Sequence, residues 1–157
     1  MQPTTPTNGP KRPPRGTYAV KVDATGRFKL PAAYKEYLDS LPDNTLFITL
    51  TFGMIRAYTG SSWEQALSKL ETRPLVQLAV WEDGDRYGQD VKPDSTGRAT
   101  LPQKVREAAP VEDAMVQMRF HGEVIWMYTD AQYAAMTAKN DATRDDVKSQ
   151  AAELGFV

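Results

Sequence analysis

Two arginines, each placed directly after the glycine of the same short motif, are the residues of this chain best suited to chemistry. The motif occurs as Asp23-Ala24-Thr25-Gly26-Arg27 and, 71 residues later, as Asp94-Ser95-Thr96-Gly97-Arg98, and both copies follow the pattern DxTGRxxLP. An aspartate first and a glycine fourth favour a type I turn that closes through a left-handed residue, with the carboxylate accepting backbone N–H groups. Arg27 and Arg98 would then stand on rigid turns, where a planar guanidinium can meet an anion.

The remaining composition argues against an enzyme. The 157 residues include one histidine and no cysteine, so a nucleophile with its base, or a thiolate zinc site, cannot be assembled from the usual residues. His121 precedes a turn glycine and is interpreted as an ordinary turn histidine. The acidic run 82–85 lacks the alternating ligands of a calcium loop and is interpreted as a solvated linker. We predict no catalytic residue, no metal and no cofactor.

The motif belongs to a longer repeat. Each copy is followed by two strand-like runs around a Phe-Gly or His-Gly turn, over 44–59 and 113–129, and each pair of runs ends in Tyr-Thr before a helix predicted at 62–70 or 130–136. The two copies therefore represent one supersecondary unit used twice. A unit of about 55 residues would be marginal by itself, which favours one core shared by both.

Elements of the first unit follow from hydrophobic periodicity. Residues 16–22 alternate as a half-buried strand, and 27–30 form a return strand with Phe28 and Lys29 on opposite faces. Pro31 opens a helix over 32–38. Segment 74–81 fits either a helix or a strand, and we favour the helix. The large aromatic residues predicted for the core or a subunit interface are Tyr58, Trp63, Trp81, Trp126 and Tyr128.

Charge and composition set the boundaries. Net charge is −1, which argues against nonspecific polyanion binding, although residues 1–36 carry seven basic and two acidic side chains. Residues 1–14 hold five prolines and are predicted to be a disordered basic tail, the alternative being an arm that follows DNA. No apolar run is long enough for a bilayer and no signal-peptide core is present, which predicts a protein kept inside the cell. The predicted organisation is a tail at 1–14, a first module at 15–72, a linker or helix at 73–88, a second module at 89–138 and a helical C-terminal tail at 139–157.

These features together resemble the MraZ family, whose members join two SpoVT/AbrB-like swapped-hairpin modules in tandem. The resemblance rests on the paired DxTGRxxLP loops, accompanied by Arg15-Gly16, Tyr58-Thr59 and Trp63-Glu64, and spans roughly 15–136. It implies an α+β fold with a pseudo-twofold, β-barrel-like core and flanking helices. It also implies a cytoplasmic, nucleoid-associated transcriptional regulator that binds double-stranded DNA at short promoter repeats of the division and cell-wall gene cluster, as a ring-shaped homo-oligomer and without a membrane.

The resemblance also assigns roles by position. The family's DNA-facing residues fall on Thr25, Gly26, Arg27, Thr96, Gly97 and Arg98, while Asp23 and Asp94 shape the loops. Thr25 stands where the family commonly has lysine, and Lys29 or the tail's Lys11 and Arg12 could supply the missing phosphate contact. We weight DNA contact towards Arg27, because the first loop lies in the basic part of the chain.

Two alternatives stay open. Each loop arginine could pair with the aspartate of its own turn, as an exposed ion pair worth under about 1 kcal/mol. The whole protein could instead be an oligomeric scaffold, or an antitoxin-like swapped-hairpin protein, with weak or no DNA binding. Salt-dependent binding to DNA separates a regulator from a scaffold, since a scaffold neutralises no phosphates.

Overall fold

The structure is a computed structural model that describes residues 12–156. The N-terminal tail predicted at 1–14 therefore lies almost wholly outside the described residues. The strands are β1 (Thr17–Lys21), β2 (Arg27–Lys29), β3 (Leu46–Thr51), β4 (Met54–Thr59), β5 (Gln89–Val91), β6 (Arg98–Thr100), β7 (Met115–His121) and β8 (Val124–Thr129). The helices are α1 (Ala32–Asp39), α2 (Ser62–Ser68), α3 (Pro74–Tyr87), α4 (Gln103–Ala108), α5 (Asp130–Ala142) and α6 (Arg144–Glu153).

The fold is α+β, as the sequence predicts. Six strands form one antiparallel sheet in the order β1-β7-β8-β4-β3-β5, and β2 pairs with β6 as a separate two-stranded ribbon. The order reads the same from either end when the two repeats are exchanged. The first strand of each repeat pairs with the hairpin of the other, β1 with β7 and β5 with β3. The two repeats are therefore intertwined rather than placed side by side.

The turn expected between two neighbouring strands is present, but the strands on its two sides do not pair with each other. β1 enters the large sheet, whereas β2 enters the ribbon. A hairpin of strands this short would be marginally stable by itself. Pairing with the other repeat buries Val22 and Phe28 in a common core instead.

That core joins the repeats through aromatic residues as well as aliphatic ones. Tyr34 of α1 stacks on Phe120 of β7, with ring centroids 4.9 Å apart. The Tyr34 hydroxyl donates to the backbone carbonyl of Glu123 at 3.1 Å, and the Tyr37 hydroxyl donates to its carboxylate at 2.9 Å. Burial raises the pKa of both phenols, that of Tyr37 to about 12. Helix α1 is thus fixed to the second repeat, which explains why neither repeat has a core of its own.

Helix α3 includes the helix predicted at 74–81 and also the segment 82–85, which was predicted to be a linker. Residues 74–81 are helical, but the helix continues through the acidic run to Tyr87, so the linker turn predicted at 82–85 is wrong. The continuation depends on packing. Gly84 lies so close to Trp63 that a Cβ would stand 2.3 Å from the indole ring, and the Asp83 carboxylate accepts the backbone N–H of Phe52 at 3.1 Å.

The predicted aromatic residues divide between the core and the surface. Tyr58 and Tyr128 are buried, and Trp63 and Trp126 are half-buried beneath neighbouring rings. Trp81 is 50% exposed, so of the two predicted locations the core does not apply to it, and a location at a subunit interface stays a prediction. Helix α5 begins with a capping box between Thr129 and Gln132. No helix over 12–156 has the length and apolar character needed to cross a bilayer.

Candidate nucleic-acid interface

The first DxTGR segment forms a turn that is organised by one carboxylate oxygen. Asp23 Oδ1 accepts the backbone N–H of Thr25 at 2.8 Å, the Thr25 hydroxyl at 2.7 Å and the backbone N–H of Arg27 at 2.9 Å. The backbone closes the turn through Gly26 N–H to the Asp23 carbonyl at 3.1 Å. Gly26 has φ +83°, the left-handed conformation that favours glycine. The backbone of Arg27 is therefore fixed before any ligand binds.

The second segment repeats this geometry. Asp94 Oδ1 accepts the backbone N–H of Thr96 at 2.9 Å, the Thr96 hydroxyl at 2.7 Å and the backbone N–H of Arg98 at 3.0 Å. Gly97 has φ +89°. Corresponding side-chain hydrogen bonds in the two turns agree within 0.1 Å. Asp23 and Asp94 thus lie at the centres of the two turns, and the loop-shaping role predicted for them stays a prediction.

The same hydrogen bonds perturb the two carboxyl groups. The pKa of Asp23 is lowered, first by the backbone N–H of Arg27 and then by the Thr25 hydroxyl. The pKa of Asp94 is lowered by the Thr96 hydroxyl and then by the backbone N–H of Arg98. Both residues are exposed, so the hydrogen bonds that favour the charged form outweigh the small opposing effect of desolvation. Each turn consequently keeps an ionised aspartate at its centre at neutral pH.

The arginines leave the turns on the ribbon formed by both repeats. In the antiparallel register Arg27 lies opposite Thr100, and Lys29 lies opposite Arg98. The residues between them, Phe28 and Ala99, are 3% and 4% exposed and anchor the ribbon in the core. Because side chains alternate along a strand, Arg27, Lys29, Arg98 and Thr100 share the outward face. The structure thus brings the three predicted cations onto one surface.

Of the other predicted contact residues, the two threonines are exposed and the two glycines are buried. The Thr25 and Thr96 hydroxyls donate to the carboxylates of their own turns. Gly26 and Gly97 are buried, so their visible contribution is to the shape of the turns. A contact of any of these four with DNA stays a prediction.

Two further cations that lie beneath the turns were not predicted as site residues. A methyl group on Gly26 would stand 2.3 Å from Cδ of Arg106, and one on Gly97 would stand 3.5 Å from the Lys35 side chain. Each turn therefore rests on the helix of the other repeat. Lys35 pairs with Asp39, and Arg106 donates to the Leu101 carbonyl at 3.2 Å. Both cations come eight residues after the loop arginine of their repeat, a regularity that could have identified them.

The alternative pairing of each arginine with its own aspartate is not what the structure has. Over residues 12–156, no ion pair joins Arg27 to Asp23 or Arg98 to Asp94. The aspartate oxygens are instead occupied by backbone and hydroxyl donors. Within the described residues, each guanidinium thus forms no direct ion pair with its own aspartate, although its charge still helps to lower the pKa of that carboxyl.

The lone histidine lies away from the ribbon. His121 ends β7 and stacks on Trp126 with ring centroids 3.8 Å apart, while Arg56 lies over the same indole ring at 4.2 Å. Burial, together with the charges of Arg119 and Arg56, lowers the pKa of His121. Within 12–156, no group of three histidine, aspartate or glutamate side chains is placed to hold a metal ion.

Comparisons with known proteins give one name repeatedly. No family model matches the chain. A transcriptional regulator MraZ of Acidobacterium capsulatum is 38% identical over 106 residues, which cover 65% of this chain and 73% of the relative. Proteins of the same name from Koribacter versatilis (29% identical, 85% of this chain and 97% of the relative) and Coxiella burnetii (30% identical, 81% and 85%) align over 143 and 132 residues.

The fold and the site define a two-repeat α+β protein that presents a pair of Gly-Arg turns on a ribbon shared by its repeats. The relatives are named transcriptional regulators. The chain belongs to the MraZ family.

Proposed function

We propose that this chain is a sequence-specific, DNA-binding transcriptional regulator whose β2–β6 ribbon is the DNA-binding element. The observation that carries the proposal is the placement of Arg27, Lys29 and Arg98 on one exposed face, with their backbones held by the two aspartate-centred turns. An ordered backbone reduces the entropy lost when these side chains meet DNA. The names of the relatives support the same function.

The shape of the ribbon suits double-stranded DNA. The major groove of B-DNA admits a two-stranded β-ribbon, and arginine is the commonest side chain to bind guanine through two hydrogen bonds. Lys29 suits a phosphate, because its ammonium group is a compact point charge. In this arrangement the phosphate contacts supply most of the affinity and orient the ribbon, while Arg27 and Arg98 read base edges.

The proposal extends to assembly and target. A single ribbon offers few contacts, so several identical copies on repeated sites would convert weak binding into avid binding. We propose a ring-shaped homo-oligomer on short promoter repeats of the division and cell-wall gene cluster, associated with the nucleoid. The exchange of β1 and β5 supports a swapped-hairpin architecture of the SpoVT/AbrB type, with modules at 15–72 and 89–138 closing a barrel-like core.

An oligomeric scaffold with little DNA affinity is the second candidate. It is favoured by one observation at the site, since the position where the family commonly has lysine holds Thr25, and the Thr25 hydroxyl donates to Asp23. The first loop consequently presents one cation fewer to a phosphate.

Binding measured against salt decides between the two candidates. Fluorescence anisotropy with the DNA immediately upstream of the gene, against a scrambled duplex, gives the affinity at several salt concentrations. A regulator should lose affinity as the salt concentration rises, with a log–log slope of about −0.9 for each phosphate that it neutralises. A scaffold would give no slope, and equal affinity for both duplexes would exclude sequence-specific recognition.

A further inference from the structure

Helices α2 and α3 leave an apolar groove on the outside of the molecule. It is lined by Leu67, Pro74, Gln77, Leu78 and Trp81. On α3, Leu75 is 83% exposed, Leu78 48% and Trp81 50%. These three residues recur every three positions, so they form a stripe on the outward face of the helix. Contiguous apolar surface of this kind marks an interaction site more often than a solvated face.

The C-terminal helix carries a second apolar stripe that no other part of residues 12–156 covers. Val147 is 54% exposed and Leu154 88%, and they stand seven residues apart with Ala151 between them. The helix ends in a Schellman motif, in which the Phe156 N–H reaches the Ala151 carbonyl at 3.0 Å through Gly155 at φ +78°. The motif adds the 84% exposed side chain of Phe156 to the end of the stripe.

We propose that α6 of one copy docks in the α2–α3 groove of a second copy of this chain. The shorter helix can lie along the longer one, since α6 with 10 residues extends about 15 Å and α3 with 14 residues extends about 21 Å. The charges agree as well. The first turn of α6 carries Asp145 and Asp146 beside one cation, Arg144, and is therefore acidic on balance. The elbow between α2 and α3 carries Lys69 and Arg73 around one acid, Glu71, and is basic on balance; all six side chains are exposed.

The groove and the helix are different surfaces of the same chain, so the contact is head-to-tail. Such a contact repeats from copy to copy and closes a ring when the rotation allows it. The inference therefore rests on the assembly proposed above and names the contact that would make it. A groove-to-groove pairing of two α3 helices is the competing arrangement, and it would use the same residues of α3 but none of α6.

Full-length variants separate these arrangements. Leu78→Asp disables the groove, and Leu154→Asp combined with Phe156→Asp disables the helix stripe. Each should weaken self-association roughly thirtyfold or more, as expected for central interface residues. Sedimentation velocity without DNA should then return the 17.5 kDa monomer for either variant. Lys148→Ala on α6 and Glu82→Gln on α3 are matched controls that should assemble like the unmodified chain.

Mixing the two variants gives the sharpest result. One intact groove and one intact helix remain in the mixture, so a heterodimer should form and should not grow further. Normal assembly of the Leu154→Asp, Phe156→Asp variant would overturn the inference and favour groove-to-groove pairing. Failure of the mixture to form a heterodimer would also overturn it, provided that the melting temperatures of both variants are unchanged. Because mass is measured without DNA, loss of DNA binding in an assembled chain would count against the proposed regulator and not against this contact.

Discussion

The two DxTGR turns have the same backbone but different neighbours. Their hydrogen bonds agree within 0.1 Å and their glycines differ by 6° in φ. Their surroundings differ because the side chains around each turn come partly from the other repeat. Arg98 faces Lys29 across the ribbon, whereas Arg27 faces Thr100. A repeated sequence thus fixes the shape of a turn, while strand exchange decides which charges stand beside it.

This difference changes the reason for ranking the two arginines. The sequence favours Arg27 because the first 36 residues are basic. Residues that are close in sequence need not share a surface, however, so the charge of this segment does not give the charge around Arg27. Lys29 belongs to the first repeat and lies beside the arginine of the second. The ribbon therefore has two cations at the Arg98 end and one at the Arg27 end.

The largest expected effect comes from Arg27→Ala. Its cross-strand neighbour Thr100 cannot replace the lost charge, so we expect specific DNA binding to weaken by about 1 to 3 kcal/mol per copy, or roughly fivefold to 150-fold. Arg98→Ala should cost less, because Lys29 still supplies a cation at that end. Anisotropy on upstream DNA measures both variants, alongside melting and sizing runs that should not change. Equal losses for the two variants would show that their neighbours do not matter.

Substituting the turn glycines tests whether the two turns are equivalent in stability. Alanine in the left-handed conformation costs about 1 to 2 kcal/mol at either site. Gly26→Ala must also displace the Arg106 side chain, 2.3 Å from the new methyl group, whereas Gly97→Ala meets Lys35 at an ordinary 3.5 Å. We expect the larger loss of unfolding free energy for Gly26→Ala in a denaturant titration. Equal losses would mean that Arg106 moves aside without cost, and a larger loss for Gly97→Ala would contradict the prediction.

Substitutions at Thr100 and Lys29 test whether the difference in charge between the two ends of the ribbon affects DNA binding. Thr100→Lys gives the Arg27 end the second cation that the Arg98 end already has, and it should make the salt slope of DNA binding steeper by about 1 per copy. Lys29→Thr should make the slope shallower by a similar amount. Both positions are exposed, so folding should be unaffected. Unchanged slopes would place the ribbon face away from the phosphates.

The smallest expected effect is the loss of stability that follows protonation of the two turn aspartates at low pH. Both turn carboxyls have a folded-state pKa below the ordinary 3.8. Their contribution to stability is therefore complete above about pH 4 and is lost as pH falls through the lowered folded values. An NMR titration of the Thr25 and Thr96 amides should show both midpoints below 3.8. A midpoint above that value in one turn would show that its hydrogen bonds to aspartate are absent in solution.

By itself, the sequence determined the local structure of this protein. Asp23 and Gly26, and their counterparts Asp94 and Gly97, specify the turns because a carboxylate that accepts nearby N–H groups and a residue free to adopt positive φ act within five residues. Alternating apolar residues likewise predicted the strands and the outward direction of Arg27 and Lys29. The repeat predicted a shared core, since neither copy is large enough to bury one alone.

Only the tertiary structure decided which elements meet. The pairing of β2 with β6, the position of Lys29 beside Arg98 and the support of each turn by the other repeat's helix depend on contacts between residues about 70 positions apart. Hydrophobic periodicity does not predict such partners, because the pattern of a strand indicates which of its faces is buried but not which element packs against that face. The helical conformation of the acidic run at 82–85 also depends on a tertiary contact, since Gly84 packs on Trp63 of another helix.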